Sequence, residues 1–135
     1  IINSELQRLL QDSAYFNLEI RINDKNEVEF IMIDNSTGVE KYITSGSGYE
    51  RTIAAMALRA VLSKVCSLPK PNVIVWDEVF GKISNENLEM VGEFFSKMRE
   101  YFEKIFVITH NPLVNNWANN VVRITKTENI SKVSQ

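Results

Sequence analysis

Hydrophobic positions in the first third of the chain follow two different spacings. Over residues 1–11, apolar side chains recur three and four positions apart, at Ile2, Leu6, Leu9 and Leu10, which predicts a helix. From residue 16 onward they alternate with polar residues, at Phe16, Leu18, Ile20 and Ile22, and "NDKN" supplies a turn. The pattern therefore predicts a helix followed by an antiparallel meander, with "VEKYIT" as its third strand.

The pattern changes after residue 48. Residues 49–66 are apolar on nearly all sides, which predicts a buried helix that "LPKP" terminates. "NVIVWDE" and "KIFVITH" are short apolar runs typical of parallel strands covered on both faces. An amphipathic helix over residues 85–103 connects them as a right-handed crossover, and a short helix near residues 112–118 and a strand at "NVVRIT" follow. The predicted fold class is α/β, with an antiparallel meander followed by a parallel sheet with flanking helices.

Composition narrows the class of protein. The chain has 135 residues, the size of one domain, and 44% of them are apolar, enough for a packed core. Its formal net charge of −2 excludes a broad basic surface, so any nucleic-acid contact is local. The single cysteine, Cys66, permits no intrachain disulfide and suits a reducing compartment. No apolar run reaches the ~20 residues of a membrane span, no signal peptide is recognisable, and the start without methionine is compatible with a fragment.

Two predicted parallel strands end in residues that carry chemistry. One ends at Asp77 and Glu78, and the other ends at His110, the single histidine of the chain. The carboxyl ends of parallel strands meet at one edge of a sheet, where ligands bind in this class of fold. Asp77 suits a hydrated Mg²⁺, Glu78 suits polarising a water for attack on a phosphoryl group, and His110 suits a hydrogen bond to a γ-phosphate. The alternative is that the acids only end a strand and that His110 is an ordinary polar loop residue.

The stretch "SGSGYER" at residues 45–51 admits two interpretations. Ser47 followed by Glu50 is a capping box, with serine at N-cap and glutamate at N3. The same helix start exposes backbone N–H groups at the positive end of a helix dipole, where phosphate binds. Spacing does not choose between the two. The GxxxxGK[ST] loop that cradles a triphosphate is absent, so we expect no tight ATP binding by this chain alone.

These motifs, in this order, resemble the C-terminal lobe of an ABC-type ATPase head of the SMC class. Within that class the chain is most similar to the large subunit of SbcC-type DNA double-strand-break repair complexes, including phage recombination endonucleases. The resemblance implies a P-loop NTPase-like fold that is split by a long coiled coil, with the P-loop and Q-loop in a separate N-terminal lobe. It implies that residues 1–14 end the returning coiled-coil helix. Residues 15–135 would form the C-terminal ATPase lobe, with the signature, Walker B, D-loop and H-loop.

The family signature S-G-G-E-[RK] falls on Ser47, Gly48, Tyr49, Glu50 and Arg51. The resemblance implies that the first four bind nucleotide in trans, on the P-loop of a second head. Tyr49 replaces the second glycine of the signature and would bring a bulky ring beside that nucleotide. Ser45-Gly46 offers an alternative register.

The other family motifs fall on the two strand ends and on the loop between them. Walker B ends at Asp77, the implied metal ligand, Glu78 is the implied catalytic base, and His110 is the implied switch histidine. The D-loop falls on "GKISNEN", which implies contacts across the dimer from Gly81, Lys82, Ile83 and Ser84. Ser84 replaces the usual aspartate of that loop.

The resemblance also implies cofactors and partners. ATP and Mg²⁺ would be bound between two heads, and ATPase activity would require the N-terminal P-loop lobe of the same protein. A second copy of the head, a nuclease subunit and DNA would be partners in DNA end processing, without a membrane, in the cytoplasm, which would be that of a bacterial host for a phage protein. Three alternatives stay open: a chromosome-organising SMC protein, a stand-alone metal-dependent phosphohydrolase using Asp77, Glu78 and His110, and a non-catalytic interaction module.

Overall fold

The computed structural model describes all 135 residues, Ile1 to Gln135. The α-helices are α1 (Ile2–Leu10), α2 (Gly48–Val65) and α3 (Asn85–Met98), and two 3₁₀ helices cover Ile43–Ser45 and Pro112–Trp117. The strands are β1 (Phe16–Ile22), β2 (Val28–Asp34), β3 (Glu40–Tyr42), β4 (Val73–Asp77), β5 (Lys104–Ile108), β6 (Arg123–Thr127) and β7 (Ile130–Ser134). This order, an antiparallel meander and then a parallel pair, confirms the predicted α/β fold class. None of the helices has the length and hydrophobicity that a bilayer crossing requires.

The alternating pattern gives the meander one buried face. β1 pairs with β2 in antiparallel register along their whole lengths, and β3 adds to the other edge of β2. Phe16, Leu18 and Met32 are fully buried in the core. At the free edge of β1, the Asn3 side chain accepts from the N–H of Ile20 and donates to its C=O, so an amide of α1 replaces a neighbouring strand there.

α2 begins where the capping box predicts. Ser47 is the N-cap, and the helix covers Gly48–Val65 where the pattern indicated residues 49–66. Its buried positions pack toward α1 and α3, whereas Arg51, Ala55 and Arg59 are exposed. The prediction of a helix buried on nearly all sides is wrong for this face, because a spacing of four places the three residues in one exposed row.

β4, α3 and β5 form the predicted crossover, and β4 and β5 pair in parallel. The face with Ile74 and Trp76 packs into the common core. The opposite face is open, with Val75, Phe106 and Ile108 exposed by 54%, 54% and 53%. The expectation that both faces are covered is therefore not met by this chain, because no second layer of the chain lies over these residues.

The C-terminal segment forms a hairpin where the pattern indicated one strand. β6 and β7 pair in antiparallel register across Glu128 and Asn129, which have positive φ angles of 49° and 66°. Two residues in the left-handed region match the twist of hairpin strands, but "EN" lacks the glycine that usually signals such a turn. α3 also ends before residue 103, because the N–H groups of Tyr101 and Phe102 turn back to the carbonyl of Met98.

Candidate functional site

The carboxyl ends of β4 and β5 meet at one edge of the sheet. Asp77 pairs with Ile108 at the end of the parallel ladder, and the N–H of Glu78 donates to the carbonyl of Ile108 at 2.9 Å. His110 lies two residues after the end of β5. The structure thus brings together the three residues that the sequence singled out at the strand ends.

Glu78 leaves the strand in a left-handed backbone conformation, with φ of 48°. For a residue with a side chain this conformation costs ~1–3 kcal/mol and clusters at functional sites. Its Oε1 lies 3.5 Å from Nε2 of His110, whose side chain is 99% exposed, while that of Glu78 is 45% exposed. So exposed a pair contributes little to stability, and both groups are free to turn toward a ligand.

The carboxylates at this edge are compatible with a metal ion that is shared with a bound phosphate, but not with a metal site formed by side chains alone. No group of three or more His, Cys, Asp or Glu side chains is arranged to hold a metal ion. Mg²⁺ commonly takes only one or two carboxylates and completes its shell with water and phosphate oxygens. Asp77, exposed at the strand end, therefore fits Mg²⁺ that arrives with a phosphate, whereas a self-sufficient metal centre does not fit.

The start of α2 is fixed by a reciprocal capping box. Ser47 Oγ accepts from the N–H of Glu50 at 3.2 Å, and Glu50 Oε2 accepts from the N–H of Ser47 at 2.6 Å. Lys41 Nζ donates to both carboxylate oxygens of Glu50, at 2.8 and 2.9 Å. Burial alone would raise the pKa of Glu50, but the Lys41 ammonium and the Ser47 N–H outweigh it, and the pKa is lowered. Glu50 thus serves as a structural anchor between the helix start and β3.

The cap leaves two donors of the helix start unused. The backbone N–H groups of Gly48 and Tyr49 have no acceptor within the protein, as expected for the first positions of a helix. They lie at the positive end of an 18-residue helix. The capping role and the anion-binding role are therefore compatible, because they use different N–H groups.

Gly48 also brings the start of α2 against the loop that follows β4. A Cβ at this position would lie 2.2 Å from the carbonyl oxygen of Lys82, so no larger residue fits without moving the backbone. This loop contains the four residues that the sequence analysis assigned to the D-loop. Ile83 is buried, while Gly81, Lys82 and Ser84 are exposed. Ser84 is the N-cap of α3 but its side chain makes no capping hydrogen bond.

Tyr49 does not place its ring beside a ligand at the helix start. The side chain is 1% exposed, its ring is stacked on Tyr15 with centroids 5.7 Å apart, and it meets Phe16 edge-on. Its hydroxyl is buried without a partner, and burial, with the neighbouring Tyr15 and Glu50, raises its pKa to about 12. The expectation of a ring next to nucleotide is wrong, and only the backbone N–H of Tyr49 is available there.

A cleft of about 380 Å³ opens beside the start of α2 and the end of β4. Its lining includes Gly48, Arg51, Arg59, Trp76, Glu78 and Lys82. The guanidinium of Arg59 lies over the ring of Trp76, 5.8 Å from its centroid. Sequence reasoning gave no site role to Arg59 or Trp76. Arg51 and Arg59 are eight residues apart, which corresponds to about two helical turns. This spacing could have indicated that both side chains lie on one face of α2.

The same fold occurs in solved ATPase heads. The chain aligns at a TM-score of 0.79 and 15% identity with a structure from work on ATP-driven dimerization and DNA-stimulated activation of SMC ATPases, covering 98% of this chain and 81% of that one. An SMC head domain from Thermotoga maritima gives a TM-score of 0.75 and 22% identity over 98% of this chain and 46% of that one. An Smc head bound to the C-winged helix domain of ScpA gives 0.75 and 16%, over 98% and 41%. The fold is that of an SMC head lobe.

Sequence comparison is less informative than the fold. No family model matches the chain. An uncharacterised protein of Acanthamoeba polyphaga mimivirus is 23% identical over 147 residues, covering 98% of this chain. The chain spans 11% of the length of that curated relative.

Proposed function

We propose that this chain is the C-terminal lobe of an SMC-type ATPase head and that it hydrolyses ATP together with an N-terminal P-loop lobe of the same protein. The observation that carries the proposal is the sheet edge at which Asp77, Glu78 and His110 meet, in a chain that lacks a triphosphate-cradling loop. The structures that share the fold are SMC heads, and one comes from work on ATP-driven dimerization.

In this proposal the sheet edge faces ATP held on the P-loop of the N-terminal lobe. Asp77 holds Mg²⁺, which when bound neutralises charge on the phosphate oxygens. The carboxylate of Glu78 accepts a hydrogen bond from the attacking water and orients it. His110, 3.5 Å from Glu78, turns its Nε2 to the γ-phosphate and responds to its loss.

The start of α2 acts on a different nucleotide, the one held by a second copy of the head. The unused N–H groups of Gly48 and Tyr49 donate to its γ-phosphate, next to the hydroxyl of Ser47. Residues 81–84 pack against this helix start and contact the second head. ATP then joins two heads and hydrolysis separates them, and α1 is the end of the coiled-coil helix that carries the motion away.

The need for an N-terminal lobe is supported by surfaces that this chain leaves open. β5 has a strand on one side only, and one face of the parallel pair exposes Val75, Phe106 and Ile108. The β6–β7 hairpin is exposed along both strands, although an isolated hairpin is marginally stable in water. An N-terminal lobe that adds strands to this two-stranded sheet and packs a layer against its open face would cover these apolar surfaces.

Two biological settings are compatible with such a head. In the first, a nuclease subunit binds the protein and the ATPase drives DNA end processing in double-strand-break repair. In the second, the protein organises chromosomes, and the observation that favours it is the likeness to an Smc head bound to the C-winged helix domain of ScpA. A stand-alone phosphohydrolase is disfavoured, because no three-residue metal cluster is present.

The test is ATP turnover by this chain mixed with its N-terminal lobe. We expect turnover in the mixture and none from the chain alone. Glu78→Gln should abolish turnover while ATP-driven dimerisation persists, and Glu103→Gln, an exposed acid outside these motifs, is the matched control. Ser47→Arg should block dimerisation without affecting ATP binding to the partner lobe. Turnover by the chain alone would exclude the split head.

A further inference from the structure

Past the end of the parallel ladder, little backbone bonding joins the chain segments that carry Glu78 and His110. The N–H of Glu78 donates to the carbonyl of Ile108 at 2.9 Å. Beyond that bond, no hydrogen bond links residues 79–84 to residues 109–118. Glu78 nevertheless keeps a left-handed φ of 48°, a conformation that persists only where the surrounding structure determines it. Contacts between side chains must therefore fix the chain after Glu78.

Phe80, two residues after Glu78, makes such a contact. Its side chain is 2% exposed, and its ring meets those of Phe95 and Trp117 edge-on, with centroids 5.7 and 5.8 Å apart. Trp117 lies at the end of the 3₁₀ helix that follows His110. The two rings thus connect the loop after Glu78 to the segment after His110, although no motif of the sequence assigns a role to either ring.

Trp117 is itself held in place by α3 and the residue that ends it. Its ring is stacked on that of Phe95, with centroids 5.8 Å apart, and Nη2 of Arg99 donates to its carbonyl oxygen at 3.2 Å. A Cβ at Gly92 would lie 2.9 Å from Cδ1 and Nε1 of the indole, so α3 has a glycine where the ring comes closest. Because aromatic pairs have preferred geometries, these contacts determine where the ring of Phe80 lies.

We propose that Trp117 is a positioning residue for Glu78 and His110. Through Phe80, it holds the chain after Glu78 against the segment that follows His110. It thereby sets the spacing from which the two side chains, 3.5 Å apart, reach a shared ligand. The inference rests on the proposed function, in which both side chains act on one nucleotide. Loss of the Trp117 ring should slow the chemical step and leave unchanged the binding of ATP, which belongs to the P-loop lobe.

The first measurement observes the imidazole of the single histidine by NMR in the 135-residue chain. Removing the charge of Glu78, 3.5 Å away, should shift the imidazole signals, so Glu78→Gln reports how close the pair is. In the Trp117→Leu background the same change should shift the signals by about half as much or less. Trp117→Phe keeps a ring beside Phe95 and should preserve most of the response.

Two further variants separate the position of Trp117 from the stability of the core. Gly92→Ala adds a methyl group against the indole and favours the helix, so it should displace Trp117 and reduce the imidazole response. Phe102→Leu truncates a buried phenylalanine that pairs with none of these rings, and it is the matched control for lost core packing. Urea denaturation gives the stability of each variant.

The second measurement is steady-state ATP turnover by the chain mixed with its N-terminal lobe. Trp117→Leu should lower kcat by about tenfold or more with the KM for ATP unchanged. Phe102→Leu, compared at equal folded fraction, should keep a kcat close to that of wild type. A residue that only stabilises the fold would not separate these two variants.

Two results would overturn the inference. The first is an imidazole response to Glu78→Gln that is absent, or that is as large with Trp117→Leu as without it. The second is a loss of kcat that is equal in Trp117→Leu and Phe102→Leu. Absence of turnover in every mixture, wild type included, rejects the proposed function instead, and the NMR response then decides alone whether Trp117 positions the pair.

Discussion

Gly48 is the residue at which the helix start and the loop after β4 come closest. Because a Cβ would lie 2.2 Å from the Lys82 carbonyl oxygen, Gly48→Ala forces the two backbones apart. We expect a loss of ~1–3 kcal/mol in the free energy of unfolding, measured by urea denaturation. Gly81→Ala is the matched control, since its Cβ would find the nearest atom only at 4.0 Å. Equal costs for both variants would contradict the close approach.

Glu50 gives the chain a pH-dependent contribution to stability. Burial alone would raise the pKa of Glu50. Lys41 and the N–H of Ser47 lower this pKa by more than burial raises it, so the net shift is downward. A lowered pKa means that the unfolded chain binds the proton more readily, so this stability is present above the ordinary glutamate pKa of ~4.3 and is lost as pH falls through the folded value.

We therefore expect Glu50→Gln to reduce the free energy of unfolding by ~1–3 kcal/mol at pH 7, with the difference from wild type shrinking below pH ~4. Urea denaturation across pH 3 to 8 measures this difference. Glu103→Gln changes an exposed acid that makes no ion pair and should cause no such trend. A difference that stays constant down to the lowest pH would mean that the Glu50 carboxylate is not held by charge.

Tyr49 shows why single residues are only partly predictable from sequence. The capping box could be predicted, because Ser47 and Glu50 are three positions apart and the interaction is local. The direction of the Tyr49 ring depends on its contacts with Tyr15 and Phe16. These residues are distant in sequence, so no local sequence pattern predicts the contacts. The same holds for Arg59 over Trp76, where the partners belong to different elements.

At the scale of elements, the spacing of apolar residues predicted the secondary structure of most segments. The meander, α2, the crossover and the meeting of two strand ends follow from spacings of two and of three to four. Three features were not predicted: the end of α3, the C-terminal hairpin and the open face of the parallel pair. The spacing of apolar residues does not reveal a turn that lacks glycine, and it does not show whether a second layer covers a sheet. Apolar runs indicated burial on both faces, but one face of the pair is open in this chain.

α1 offers a comparison of burial with ion pairing on one helix. Leu6 is fully buried in the common core. Its neighbour Glu5 accepts from Lys64 at 2.9 Å and from the Tyr101 hydroxyl at 3.0 Å, with its side chain 25% exposed. We expect Leu6→Ala to cost ~2–5 kcal/mol and Glu5→Gln at most ~1 kcal/mol, measured by thermal unfolding. A larger cost for Glu5→Gln would mean that the polar network, rather than burial, holds α1.

At the scale of the whole molecule, the two faces of the parallel pair differ. One face packs into the hydrophobic core, and the other exposes apolar side chains to solvent. The helices and the meander share one cluster of buried side chains with one face of the parallel pair. The other face of the pair presents Val75 and Phe106 to solvent, and exposed apolar patches of this kind mark interaction sites. We therefore propose that these residues serve assembly with the N-terminal lobe rather than the stability of this one.

Val75→Lys and Phe106→Lys test that division of roles. Because both positions are more than half exposed, each variant should change the free energy of unfolding of this chain by less than ~1 kcal/mol. Each should nevertheless abolish complex formation with the N-terminal lobe, measured by sedimentation velocity, because a lysine ammonium would be buried in the new contact without a partner. Leu68→Lys adds the same charge at a position that is 71% exposed and lies in the loop after α2, and it should assemble normally. Full assembly by Val75→Lys and Phe106→Lys would mean that the N-terminal lobe does not cover this face.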